Sequence, residues 1–429
     1  MDTSRVVVAF DELTHCAGFD WASEKHDVVV VDRQGAVVLQ WCFDDTAQGW
    51  ASLREKLVGF SKVAVAVETC RGPAVERLLA MGLTVYPLNP KAAERYRDRK
   101  APSGVKDDQL DAWSFADALR TDGHGWRPLL PEDQATALLR MLCRDEIGLI
   151  EQRTALVLQL REALHEYYPA AREAFDDWTL PAAWEFVLRF PTPTELAQAG
   201  KRKWEKFLHT HRLGRQDTAT RRMEIFARAM QFVNPSPAVT TAKSLLAVTI
   251  AKQLRTLQTQ LDEYRQRIQK SFDQHPDHDL FGSLPGAGPK LAPRLLGELG
   301  ANRQVFESAE ALQCYGGTAP VTQKSGKWSL VKIRRACNMV LRATVHLWAD
   351  QSRHHCAWAQ AYYQHKREQG KSHAQALRCL GQRWLKILWT MWQNRTPYHE
   401  AKHLLDQTQH GSWVIALLPK PPQTMPAVS

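Results

Sequence analysis

No apolar stretch of this chain reaches the ~18–20 residues that a membrane span requires, so a membrane role is not expected. Met1-Asp2-Thr3-Ser4-Arg5 lacks the basic start and apolar core of a secretory signal. Cysteine is sparse and scattered: the eight residues include no Cys-x-x-Cys pair. That spacing argues against the common zinc motifs and a disulfide framework, and it fits a reducing cytoplasm. No long internal repeat is present, which excludes a solenoid. Acidic residues are scarce toward the end, where residues from Phe281 onward hold 19 Lys and Arg against 7 Asp and Glu.

What is present suits a globular protein of two or three domains. The chain has 429 residues, 44% hydrophobic and 24% charged. Its formal net charge is +10, and the basic back accounts for all of it, because the first 280 residues sum to −2. A near-neutral front joined to a basic back points to a polyanionic partner, nucleic acid before others. A basic surface that serves only solubility is the plainer alternative.

Residues 1–128 alternate strands and helices, as in an α/β domain. Ala17–Asp20, Asp27–Asp32 and Ala36–Trp41 read as three strands, the last two joined by a turn at Asp32-Arg33-Gln34-Gly35. Val63–Val67 is a short apolar run of the kind buried on both faces of a sheet. Helices are expected over Trp50–Phe60, Arg71–Met81 and Asp107–Leu119, with another opened by Asn89-Pro90; Leu83–Leu88 is a further strand and Ala101–Gly104 a loop. Residues 129–279 read as a helical connector. Ile250, Leu254, Leu257, Leu261, Tyr264 and Ile268 form a heptad seam, and Val157, Leu160, Leu164 and Tyr167 follow a similar rhythm upstream. The seam serves either an intramolecular helical hairpin or a coiled coil between subunits. Residues 280–410 read as a basic helical unit, and 411–429 as a tail, disordered from Pro419 onward.

Four carboxylates fall at strand ends and a helix start. Asp20 follows the first strand, Glu68 ends the Val63–Val67 strand, and Asp108 and Asp111 are three apart on one helix face. Such a group would repel itself strongly, and Mg²⁺ or Mn²⁺ with hard oxygen ligands relieves that repulsion. A pair of such ions can clamp the attacking and leaving oxygens of a phosphodiester. Singly, each acid also suits a structural role, as Asp108 does in a first helical turn. Asp107 competes with Asp108 for the third position, and Asp11, after the apolar run Val6–Phe10, competes with Asp20.

The stretches Ala17–Asp27, Ala66-Val67-Glu68-Thr69, Asn89-Pro90-Lys91 and Lys106-Asp107-Asp108-Gln109-Leu110-Asp111-Ala112 resemble the DEDD-type insertion-sequence transposases of the IS one-ten family, which includes the Piv-type DNA invertases. A second resemblance to that family runs through Leu284-Pro285-Gly286-Ala287-Gly288, Tyr315–Pro320, Ser325-Gly326 and Arg334–Arg342. The family's Gly-Asn pair appears as Cys337-Asn338. The resemblance implies a RuvC-like, ribonuclease-H-like first domain whose metal ligands are Asp20, Glu68, Asp108 and Asp111. It implies covalent strand transfer through Ser325, with donor and target DNA as substrates and a bridge RNA as guide. It further implies a homo-oligomer, dimer or tetramer, in which the acidic site of one subunit completes the serine site of another, and association with the nucleoid when active.

Around Ser325 the residues show no Ser-His-Asp arrangement. Lys324, Lys327, Lys332, Arg334 and Arg335 cluster there, with Arg342 close behind, and would bind a phosphate and its developing charge. Read alone, Ser325-Gly326 is more simply an ordinary polar turn between elements, and only the family resemblance makes the serine a nucleophile. Gly286 and Gly288, ahead of a helix over Lys290–Leu299, resemble a helix-hairpin-helix tip whose amides suit a phosphate. Trp384, Trp389 and Trp392 make an apolar helix face in the core or, less simply, a base-stacking platform. Two further readings stand beside the recombinase: a metal-dependent junction nuclease that uses water, and a non-catalytic nucleic-acid-binding protein.

Overall fold

The computed structural model describes residues 8–100, 107–130, 133–234, 236–326 and 328–418. The expected loop at Ala101–Gly104, together with Lys106, Lys327 and the tail from Pro419, lies outside the described residues. The chain divides into two compact units, Met1–Pro131 and Glu132–Ser429.

The first unit carries β1 (His15–Trp21), β2 (Lys25–Asp32), β3 (Val37–Asp44), α1 (Ala47–Val58), β4 (Val63–Val67), α2 (Pro73–Ala80), β5 (Thr84–Pro87), α3 (Pro90–Lys100) and α4 (Asp108–Asp122). The five strands form one sheet in the order β3-β2-β1-β4-β5. The β1-β2-β3 meander is antiparallel, and β4 and β5 add to β1 in parallel. The β2–β3 turn closes as its residues demand: Gly35 takes a φ of 90°, and Asp32 Oδ1 accepts from the amides of Gln34 and Ala36 at 2.9 Å each. Alternation along the strands splits the core in two. Ala17, Phe19, Val65 and Val67 pack with Trp50, Leu53 and Leu78, whereas Cys16, Ala64 and Ala66 pack with Ala112, Phe115 and Ala116 of α4. β4 is buried at every position, as its apolar run requires.

The second unit opens with α5 (Gln134–Tyr167), α6 (Pro169–Ala174), α7 (Pro181–Arg189), α8 (Pro193–Thr210), α9 (Gln216–Ala227) and α10 (Pro237–Asp273). It continues through α11 (His278–Gly282), α12 (Gly288–Leu299), α13 (Ala309–Tyr315), β6 (Val321–Ser325), β7 (Trp328–Lys332), α14 (Met339–Ser352), α15 (Ala357–Glu368), α16 (His373–Gln393), α17 (Glu400–Gln409) and α18 (Trp413–Ala416). Proline punctuation sets several starts: Thr192 caps α8 in a reciprocal capping box with Glu195, and Pro193 and Pro237 sit in first turns.

The long helices α5 and α10 run antiparallel along each other. Thr136 meets His275, Glu146 meets Arg265, Arg153 meets Gln258 and Glu166 meets Lys243. The heptad seam of α10 is therefore covered within its own chain, with Ile250, Leu254, Leu257, Leu261 and Ile268 all buried. The intramolecular reading of the seam is the one observed. The same two helices feed both cores of this unit: Val157 to Leu164 and Ala247 to Leu254 join one, Leu139, Cys143, Ile268 and Phe272 the other.

Residues 280–410 depart from the all-helical expectation, because β6 and β7 form an antiparallel hairpin. Val-Thr-Gln-Lys-Ser and Trp-Ser-Leu-Val-Lys show little alternation, and both strands lie open to solvent, so no buried face imposed a pattern.

Candidate active-site elements

Asp20 is the sixth residue of β1, and Glu68 follows directly on β4. The parallel register pairs Phe19 with Val67, so the next residues, Asp20 and Glu68, emerge side by side at the same sheet edge. Both continue the face that packs on α4. Gly18 brings the helix down onto that face. A Cβ at Gly18 would lie 1.8 Å from the Ala112 carbonyl oxygen and 2.6 Å from the Ala116 nitrogen, so only glycine admits α4 this close. The approach at Ala112 brings the first turn of α4, with Asp108 and Asp111, toward Asp20.

The electrostatics record this convergence. Burial pushes the Asp20 carboxyl up to about 7, and Asp111, Asp108, Glu68 and Asp27 add to the shift in that order. All four sequence-predicted acids therefore share one neighbourhood. Asp107, the rival of Asp108, caps α4 by accepting from the Gln109 amide at 3.3 Å, and its charge still reaches Asp27. Asp11 lies in a short 3-10 turn ahead of β1.

Two members of this neighbourhood escaped the sequence reading. Asp27 stands directly across the β1–β2 pair from Asp20 and so shares its face; burial, and next Asp108, raise its pKa. The hairpin register was the signal, since Asp20 and Asp27 flank one tight turn. Arg97, on α3, places Nε 2.9 Å from Oδ1 of Asp111, whose residue is only 4% exposed. Among the described residues, no three His, Cys, Asp or Glu side chains are gathered tightly enough to hold a metal ion as they stand. The donor set is nonetheless four hard carboxyl groups, Asp20, Glu68, Asp108 and Asp111, whose crowding, with burial, raises the Asp20 carboxyl to about 7, and relief of such crowding is the demand a divalent cation meets.

Ser325 ends β6, exposed, and Gly326 follows with a φ of 55°, the left-handed turn that a two-residue hairpin needs. Lys324, Lys332 and Arg335 are exposed on or beside the hairpin. Arg334 and Arg342 are half-buried and hold its base: Arg334 Nε donates to the Ala319 carbonyl at 3.3 Å, and Arg342 Nη1 to the Arg334 carbonyl at 3.4 Å. Cys337 needs no left-handed backbone, so glycine is dispensable there. Asn338 caps α14 and donates to Glu298 Oε2 at 2.6 Å and to the Tyr315 hydroxyl at 2.9 Å. Glu298 is in turn gripped by Arg144 at 2.6 and 2.7 Å. Sequence reading missed this buried anchor, because its members are scattered from α5 to α14.

Gly286, with a φ of 74°, is required by packing: a Cβ there would meet the Ser352 nitrogen at 2.7 Å, and Trp348 donates to the Pro285 carbonyl at 3.0 Å. Gly288, at the start of α12, is exposed. Trp384 and Trp392 are fully buried, and Trp389 donates to the Phe306 carbonyl at 3.1 Å, so this face belongs to the core. No helix among the described residues is long and apolar enough to cross a membrane.

Comparison with known proteins agrees in both units. The profile of the IS110-type DEDD transposase, described as Transposase, matches residues 17–169, and that described as Transposase IS116/IS110/IS902 family matches residues 278–364. The DEDD designation is that of a four-acid set of the kind associated with divalent-metal dependence. The mini-circle putative transposase for IS117 of Streptomyces coelicolor is 33% identical over 91% of this chain and 97% of its own length. The uncharacterized 42 kDa protein of insertion element IS900 from Mycobacterium paratuberculosis is 30% identical over 76% of this chain and 79% of its own. The uncharacterized 44.8 kDa protein of IS116 from Streptomyces clavuligerus is 25% identical over 88% and 98%. A non-catalytic binding protein is set aside by these relations. The chain belongs to the IS116/IS110/IS902 family of insertion-sequence transposases, and it is a DNA transposase.

Proposed function

We propose that this transposase cuts and rejoins DNA through a covalent serine ester, with Ser325 as nucleophile and the carboxylates of the first unit serving the same reaction. The observation that carries the reading is the convergence of Asp20, Glu68, Asp108 and Asp111, seen in the Asp20 carboxyl held near 7 by burial and by the other three. The sheet order β3-β2-β1-β4-β5, with its antiparallel meander and parallel additions, supports a ribonuclease-H-like, RuvC-like reading of this unit.

Asp20, Glu68, Asp108 and Asp111 would hold Mg²⁺ or Mn²⁺, which when bound supplies charge neutralisation and activation of phosphodiester oxygens. Asp27 and Arg97 set the charge around them. In the second unit, Ser325 Oγ gives up its proton as it bonds to phosphorus, the P–O bond to the leaving strand breaks, and the departing oxygen takes up one proton in turn, so the charge balances. Attack by the hydroxyl of another strand reverses the step and frees Ser325, so rejoining needs no nucleotide cofactor. Exposure of Ser325 on a projecting hairpin suits attack on a large substrate. Lys324, Lys332 and Arg335 would meet phosphates, and Arg334 and Arg342 fix the hairpin base. Lys327 joins this set by sequence alone. Gly288 stays available to a phosphate; Gly286 serves the fold.

A bridge RNA that pairs with donor and target DNA completes the reading, and the basic segment from Phe281 supports a polyanionic partner. A homo-oligomer is also part of it, although the α10 seam is not what supports it. The test is denaturing electrophoresis of the protein with labelled DNA, guide RNA and Mg²⁺. A covalent adduct that maps to Ser325 and is lost in Ser325→Ala and Asp20→Asn is expected. Undiminished cleavage by Ser325→Ala would leave the water-using junction nuclease.

A further inference from the structure

The hairpin that ends in Ser325 carries an aromatic side chain that the proposed chemistry has not used. The register pairs Ser325 with Trp328, Gln323 with Leu330 and Val321 with Lys332, so these six share one face. Trp328 is 53% exposed and Leu330 38% exposed on that face. The contrast with α16 is sharp, where Trp384 and Trp392 are wholly buried. An indole left in water directly across from the nucleophile calls for an occupant.

Charge identifies its chemistry. Residues 311–349 contain six Lys and Arg and no Asp or Glu. A stretch of one sign with no carboxylate matches a polyanion better than an ordinary protein surface, which carries both signs. A nucleic acid strand fits both features: an unpaired base offers a π-face to the indole regardless of sequence, and cations follow the backbone. Lys332 lies four residues from Trp328 on the same face, ~13 Å along the strand, which is a span of about two nucleotides.

We propose that Trp328 is a positioning residue on which an unpaired DNA base beside the scissile phosphate stacks, with Lys332 on the neighbouring backbone. This rests on Ser325 as the nucleophile, because that reading places the scissile phosphate at the hairpin tip.

The experiment measures anisotropy of a labelled single-stranded target oligonucleotide with the full-length Ser325→Ala protein, which binds without reacting. Adding Trp328→Ala should weaken binding about 5- to 100-fold, the effect of one stacked base, while Trp328→Phe retains most of the affinity. An abasic nucleotide beside the scissile phosphate should cost the Trp328 protein a similar factor and the Trp328→Ala protein nothing more. Unchanged affinity in Trp328→Ala, or an equal loss in Trp328→Phe, overturns the proposal. So does an effect confined to an RNA oligonucleotide of the same sequence, or a change in oligomeric state with DNA affinity intact. Adduct mapping with Ser325 present separates the two readings. No adduct at Ser325 alongside Trp328-dependent binding defeats the nucleophile and leaves the stacking. A normal adduct without Trp328-dependent binding defeats the stacking alone.

Discussion

Asp20 lies on a central strand, under a helix that touches the sheet backbone at Gly18, and its carboxyl is held near 7 by burial and by like charges. Ser325 lies at the end of a strand on which every residue after Val321 is exposed, and among the described residues beyond its chain neighbours nothing comes within 4 Å of where a Cβ on the next residue, Gly326, would stand. The acidic centre is thus built by packing before any substrate arrives, and its like charges store repulsion. The serine arm is a bare ribbon held at its base, where Arg334 donates to the Ala319 carbonyl and Arg342 to the Arg334 carbonyl, and where Asn338 links Tyr315 to Glu298 and its partner Arg144. One is a packed site of crowded charge; the other is an open ribbon. The contrast implies that mutations at the two places separate function from stability differently.

The largest effects should be on strand transfer. Asp20→Asn and Ser325→Ala are each expected to lower adduct formation by about 10³-fold or more, the scale of removing a principal catalytic group. Melting should tell them apart. Ser325→Ala, at an exposed site, should leave stability within about 0.5 kcal/mol, whereas Asp20→Asn should raise the melting temperature of metal-free protein at pH 8. Equal melting behaviour of the two variants would erase the contrast.

Next come two packing tests. Gly18→Ala forces a Cβ into the α4 backbone and should destabilise by roughly 3 kcal/mol or more, with loss of activity as Asp108 and Asp111 move away from Asp20. Arg144→Ala leaves Glu298 buried without the guanidinium that grips both its oxygens, at a cost of about 3 kcal/mol. Urea titration of both variants checks the values. A mild Gly18→Ala would mean that α4 does not rest on β1.

How much of this was legible in the sequence follows the same division. The Val63–Val67 run and the Asp32–Gly35 turn declared the sheet, because a strand buried on both faces and a turn that needs glycine leave a local record. The acids could be placed at strand ends for that reason. Asp27 was legible only through the register of β1 on β2, and Arg97 only through the packing of α3. The strands of the Ser325 hairpin left no record, since an exposed ribbon selects no alternating pattern, and only the turn at Ser325-Gly326 could be read. Arg144 and Glu298 are 154 positions apart, and no local rule joins them.

The pH dependence is a smaller effect. The folded Asp20 pKa, about 7, stands above its ordinary value of 3.8. The folded state therefore binds more protons than the unfolded state between those limits. Stability from this group is complete below about pH 4 and is lost as pH rises through 7. In metal-free protein the melting temperature should fall by a few degrees across that window, Asp20→Asn should flatten the fall, and Mg²⁺ at pH 8 should reverse it. A profile identical in wild type and Asp20→Asn would show that the acids do not crowd Asp20.

The smallest effect belongs to the arm. Gly326 has a φ of 55°, and among the described residues beyond its chain neighbours no atom lies within 4 Å of an added Cβ, so Gly326→Ala incurs backbone strain, about 1–2 kcal/mol for a left-handed residue. Because the hairpin is exposed, this cost should appear as fraying of β6 from β7, faster amide exchange at Gln323 and Leu330, and little change in the global melt. Gly18→Ala meets the opposite situation, with unstrained backbone and no room. The two alanines thus separate conformational cost from steric cost at the two places. A Gly326→Ala penalty as large as that of Gly18→Ala would mean that the arm is packed against something in the free protein, and its availability to DNA would have to be abandoned.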